Sequence, residues 1–222
     1  MESERFFNPR GAIDIHRRHL PHWWQPGVSA FVTWRLADAL PETLLKPWRE
    51  QRDAWLATHP RPWSSEDEAE YTRRFGHKIE QWLDAGHGTC RLRDTAAREV
   101  VMESLQAGEA AKRVRLHDYA IMPNHVHVLF TPLAGPGLAA LVKAWKGVSA
   151  RRINQLNGSS GTLWAEEYWD RLIRDEEHLG RVRRYIAANP TRAKLREGEF
   201  TVWSRTKTGD GKKEDGHSCP SV

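Results

Sequence analysis

Two runs of β-forming residues, Val114–Ile121 and His125–Thr131, are parted only by Met122, Pro123 and Asn124. So short a connection has no room for a crossover, so the runs must pair antiparallel as a hairpin. The other periodic segments arrange themselves around it. Upstream, residues 28–36 alternate loosely behind Pro26-Gly27 and read as a first strand. A helix over Thr95–Gln106 turns Val100, Val101 and Leu105 inward, with Asp94 or Thr95 as its cap. Beyond Gly135-Pro136-Gly137, the residues Leu138, Leu141, Val142, Trp145 and Val148 form a helical stripe that ends at Gly158–Gly161. A fourth strand falls within Thr162–Arg174. A last helix opens at Asp175, with Glu176 and Glu177 where negative charge suits the helix dipole, and is expected to stop at Asn189 before Pro190.

Strand, helix, strand, strand, helix, strand and one further helix is the order of an α+β, ferredoxin-like antiparallel sheet. Pro41–Asp84 stands outside that order. Leu44, Leu45, Trp48, Trp55, Leu56, Tyr71, Phe75, Ile79, Trp82 and Leu83 recur at helical spacing there, and Pro60 and Pro62 divide them into two helices. The expected organisation is an N-terminal arm over 1–27, a domain over 28–204 with a helical insertion at about 41–84, and a disordered tail over 205–222. The tail is rich in Gly, Lys, Asp and Ser without periodicity.

Composition narrows the class. No segment approaches the roughly 20 apolar residues of a membrane span, and Met1–Arg10 is polar, so a cytoplasmic protein without a membrane partner is expected. Cys90 and Cys219 are too few for a disulfide framework or a thiolate site, so a metal would need His, carboxylate or amide ligands. An excess of 34 Lys and Arg over 29 Asp and Glu suits a polyanionic partner without singling one out. The 11 Trp are expected mainly in the core or on amphipathic helices, with base stacking open for one or two.

Side chains two apart on a strand share a face, so His125 and His127 project together while Val126 and Val128 point away. Two neutral imidazoles bind a divalent metal and leave positions for a phosphate oxygen. Two half-exposed histidines on a sheet show the same spacing, so spacing alone leaves both readings open. On the last helix Leu179, Val182 and Ile186 form the buried stripe, and Arg181, Tyr185 and Asn189 line an adjacent face.

The run Tyr119-Ala-Ile-Met-Pro-Asn-His-Val-His-Val-Leu-Phe130 resembles the signature of the single-tyrosine HUH transposases, above all the REP-associated tyrosine transposases. The block from Gly161 to His178, and Arg184 to Pro190 after it, is similar to the same family; the resemblance spans about Arg115 to Leu195. It implies an HUH endonuclease fold that binds a divalent metal ion, Mg2+ or Mn2+, through His125 and His127. Asn189 would be the third ligand, through its side-chain oxygen, and Tyr185 the nucleophile. Attack on single-stranded DNA would give a 5′-phosphotyrosine and a free 3′-hydroxyl, and another strand's 3′-hydroxyl would reverse the step. Tyr168, inside the second block, is the rival nucleophile.

Single-stranded or hairpin DNA, such as repetitive palindromic elements, is the implied partner, and binding to it would place the protein on the nucleoid. Lys143, Lys146, Arg151, Arg152, Arg181 and Arg184 are the candidate phosphate contacts, an ordinary solvated face being the other reading. Ala187 and Ala188 stand where the family often has larger polar residues, and Thr191–Leu195 is a variant of the usual segment after the proline. A homodimer, with Tyr185 acting in cis or in trans, is compatible with the resemblance. The alternative is a catalytically inactive DNA- or RNA-binding regulator on the same fold. Metal hydrolases of the amidohydrolase type also use His-x-His, but their barrels need more residues and carry the motif early.

Overall fold

The computed structural model describes residues 6–8, 10–11, 14–17, 21–60, 63–133 and 137–205. Apart from Arg205, the tail expected to be disordered lies outside the described residues, as do Pro62, Gly135 and Pro136. Inside the N-terminal arm, β1 (Asp14–Arg17) and β2 (Pro21–Trp24) pair as an antiparallel hairpin that sequence reading did not anticipate.

The main sheet contains β3 (Ala30–Leu36), β4 (Val114–Ile121), β5 (His125–Pro132), β6 (Trp164–Leu172) and β7 (Thr201–Ser204), in the order β6-β3-β5-β4-β7. Every neighbouring pair is antiparallel. Without β7 the order is fourth, first, third, second, which is the ferredoxin-like arrangement expected. β7 adds an edge beside β4, with Tyr119 paired to Trp203 and their rings stacked 5.2 Å apart. Four residues are too few to show an alternation, which is why the sequence does not announce this strand.

The pleat assigns the two faces. Val32 and Trp34 of β3 and Val126, Val128 and Phe130 of β5 face α4 (Thr95–Ala110) and α5 (Leu138–Leu156), where Trp145 stacks 6.1 Å from Trp34 and meets Phe130 edge-on at 4.9 Å. Phe31 and Leu129 face the other way, against Leu179, Val182 and Ile186 of α6 (Glu176–Arg192). β5 is buried along its whole length because both faces are covered. Val148 is exposed rather than on the α5 stripe, and Ser149 takes the inward place.

Both expected N-caps form: Asp94 accepts from the Ala96 N–H at 3.0 Å and Asp175 from the His178 N–H at 2.6 Å. The last helix, however, does not stop at Asn189 but runs through Pro190 to Arg192. Pro190 forfeits one hydrogen bond, yet its carbonyl accepts from Leu195 N–H while Thr191 accepts from Lys194, both at 3.0 Å. With Lys194 at φ +53° this is a Schellman cap, and it moves the end of the helix past the proline.

The insertion is helical as expected. α1 (Glu42–Thr58) continues through Pro47, and α2 (Ser65–Tyr71) passes by a π-helical turn, Thr72–Gly76, into α3 (His77–Asp84). Trp55, Trp63, Tyr71 and Phe75 hold these helices together, with ring centroids 4.7–6.1 Å apart. Of the 11 tryptophans, Trp34, Trp48, Trp55, Trp145 and Trp164 are buried in the core and five more pack against it.

Candidate metal and nucleophile site

The β4–β5 hairpin sets His125 and His127 on the α6 face of the sheet, opposite Arg35 and Thr33 of β3. Both are sealed from water, at 1% and 2% exposure, and their Nε2 atoms converge to 3.0 Å. Two metal–nitrogen bonds of about 2.1 Å at a right angle span about that distance. Burial pushes the His125 pKa down to about 3, and burial followed by the charges of His125 and Arg192 holds His127 well below 6.5. Both rings are therefore neutral at ordinary pH, the form in which imidazole binds a metal.

Hydrogen bonds decide which nitrogen is offered. Asn124 donates its Nδ2 to the carbonyls of Leu83 and His87, at 3.1 and 3.3 Å, so its Oδ1 is turned to His125 Nδ1 at 2.7 Å. An oxygen there requires His125 to carry its proton on Nδ1, which leaves the Nε2 lone pair free. Thr33 Oγ1 lies 2.7 Å from His127 Nδ1 and, as a hydroxyl, can either accept or donate. Without a metal, His127 must place a proton between the two Nε2 atoms and accept from Thr33. With one, rotation of the Thr33 hydroxyl lets His127 change tautomer.

α6 brings the remaining residues. Tyr185 lies with its ring 5.3 Å from that of His127 and 5.8 Å from that of Phe31. Asn189, one turn on, is 1% exposed; neither polar atom of its side chain makes a hydrogen bond of ordinary geometry, and the Tyr185 hydroxyl is a polar group it interacts with. A buried amide so weakly satisfied is costly, and one turn from the tyrosine that packs on His127 its oxygen is a donor that a metal ion would satisfy. Among the described residues no third His, Cys, Asp or Glu joins the pair in a metal-holding group, so an amide is the donor at hand. The residues present fit a divalent ion. Burial, and then Glu80, push the Tyr185 phenol well above its ordinary value, while Asn189 and Arg192 pull the other way.

The other predicted residues separate into two groups. Tyr168 is buried on the opposite face of the sheet, paired with Trp34, and cannot share a phosphate with the histidines. Lys143, Lys146, Arg151 and Arg152 ride on α5, also across the sheet. Lys146 Nζ donates to the carbonyls of Ala165 and Glu166, at 2.8 and 2.7 Å, and Arg152 pairs with Glu103 at 2.6 Å. Arg181 pairs with Glu177, and Arg184 is exposed on α6. Of the six, only Arg181 and Arg184, one turn before Tyr185 and next to it, share its helix.

Sequence reading missed Asn124, Thr33, Arg192 and the insertion's share in the site. The guanidinium of Arg192 lies 5.1 Å from the Tyr185 ring centroid. Its signal was in the sequence: Arg192 is seven residues, two helical turns, beyond Tyr185.

Fold and site together define a class: an α+β protein with a buried His-x-His pair on the central strand of an antiparallel sheet, faced by a helix-borne tyrosine. Residues 91–189, a little under half of the chain, match the family model described as "Transposase IS200 like". The matched segment runs to Asn189 and omits α1–α3. Among solved structures, a REP-associated tyrosine transposase bound to a REP hairpin is similar at 14% identity and TM-score 0.40, over 80% of this chain and 72% of that one. A protein from Deinococcus radiodurans R1 assigned as a transposase is similar at 15% identity and TM-score 0.34, over 82% and 97%. No curated protein matches. Among the described residues no helix is long and apolar enough to cross a membrane.

Proposed function

We propose that this protein is a transposase of the IS200-like kind that cleaves and rejoins single-stranded DNA, including hairpin ends, with Tyr185 as nucleophile and a divalent ion, Mg2+ or Mn2+, held by His125, His127 and Asn189. The reading is carried by one observation: Tyr185 packs against His127 on the face where both imidazole Nε2 atoms converge, one turn from a buried Asn189 that lacks a well-formed hydrogen bond. The ion would supply positive charge that favours the phenolate and screens the scissile phosphate.

The protein's own residues do the rest. Tyr185 Oη attacks phosphorus as the bond to O3′ breaks; the phenol loses its proton, the departing 3′-oxygen gains one, and the phosphodiester passes to the tyrosine as a 5′-phosphotyrosine. One ester replaces another, so the 3′-hydroxyl of another strand can reverse the step without a nucleotide cofactor. Phe31 and the α6 stripe exclude water, which protects that adduct from hydrolysis.

Labelled single strands and hairpins, incubated with Mn2+ and run on a denaturing gel, test this. The wild type should carry label covalently; Tyr185→Phe should carry none and stay folded, and Tyr168→Phe should match the wild type. An adduct persisting in Tyr185→Phe would unseat the nucleophile. Binding without any adduct from the wild type would favour the catalytically inactive regulator.

A further inference from the structure

Arg192 stands apart from the other cations on α6. Arg181 is engaged by Glu177, four residues away on its own helix, and Arg183 by buried Asp118 of β4 at 3.2 Å. Arg192, two turns from Tyr185 on the nucleophile's side, faces a residue from another element: its Nη2 is 4.0 Å from Glu80 Oε2 on α3. That separation is too long for a hydrogen bond, and the two side chains are 45% and 22% exposed. Such a loose, half-solvated pair adds little to folding and exchanges readily for a better anion. Asp84, one turn along α3, adds a second negative charge to the same wall, and its carboxyl is raised by burial and relieved by Arg192.

We propose that Arg192 is the phosphate-binding cation of the nucleophile site, and that Glu80 of the inserted helix holds its place until a DNA phosphate displaces it. This rests on the DNA-cleaving reading above and adds to it the residue that receives the phosphate and the one that competes. A guanidinium beside the attacking phenol can grip a phosphate oxygen through two N–H donors. Glu80 and the phosphate cannot both have it. The competitor comes from a helix outside the segment that matches the family model, which gives the insertion a function at the site: it raises the affinity a strand must have before it can dock.

The test is strand binding in the Tyr185→Phe protein, which cannot form the adduct, using a fluorescein-labelled single strand of mixed sequence and anisotropy at several salt concentrations. Arg192→Ala should weaken binding about tenfold and reduce the slope of log affinity against log salt by about 0.7, one phosphate's worth on a single strand. Arg192→Lys should keep the slope. Glu80→Gln should tighten binding about two- to fivefold, but only while Arg192 is present, so the double variant should match Arg192→Ala alone. Thermal melts of each variant separate misfolding from lost contact. An unchanged salt slope in folded Arg192→Ala, or a Glu80→Gln effect that survives without Arg192, overturns the proposal. If the Tyr185→Phe protein binds no strand while wild type forms the adduct, only this inference falls; if neither binding nor adduct occurs, the nuclease reading falls with it.

Discussion

Asn124→Ala removes the acceptor that holds the His125 N–H and the donor that ties β5 to the insertion. The Asn124 side chain is fully buried and makes three contacts, to His125 Nδ1 at 2.7 Å, Leu83 O at 3.1 Å and His87 O at 3.3 Å. Alanine leaves the His125 N–H without a partner in a dry site, at about 1–3 kcal/mol, and strips the two carbonyls of a donor at less each; a total loss of about 2–4 kcal/mol is expected. A metal-bound histidine deprived of the group that orients it loses about 10–100-fold in metal affinity. Urea denaturation reads the first quantity and Mn2+ titration by calorimetry the second. Asn124→Asp separates them: a carboxylate still accepts from His125 but repels both carbonyls, so it should destabilise the fold while sparing much of the metal affinity. A folded Asn124→Ala protein that binds Mn2+ as tightly as the wild type would refute the reasoning.

Two further outcomes follow from groups away from the nucleophile. Burial, then Arg183, Arg205 and Arg115, push the His117 pKa down to about 4 from 6.5. Below pH 6.5 the unfolded chain takes up a proton that folded His117 refuses, so this share of stability is complete above 6.5 and is lost as pH falls toward 4. Between pH 7 and pH 5 the share is about 2 kcal/mol, so His117→Gln should lose that much less stability on acidification in paired urea titrations; equal losses would refute it. Lys194 sits in the left-handed region at φ +53°, where a side chain is strained and glycine is not. Lys194→Gly should raise stability by about 0.5–1 kcal/mol, and a lower thermal midpoint would contradict the cap described for α6.

Features that depend on neighbours a few residues away were legible from the residues alone. The three-residue joint at Met122–Asn124 forces the hairpin, the two-residue strand period puts His125 and His127 on one face, and Asp94 and Asp175 cap their helices. Tyr185 and Asn189 share a helix face for the same local reason. Pro190 misled because a local rule, that helices end before proline, was outweighed by a cap formed four and five residues later and by burial of the proline itself. Which helix covers which face of the sheet was settled by long-range packing, which puts basic α5 across the sheet from the histidines and α6 over them. It alone brought Thr33 to His127 across 94 residues and Leu83 to Asn124 across 41. It also set Glu80 against Arg192. Those contacts join segments that no periodicity links, and they form only when burial of both sheet faces closes the chain on itself.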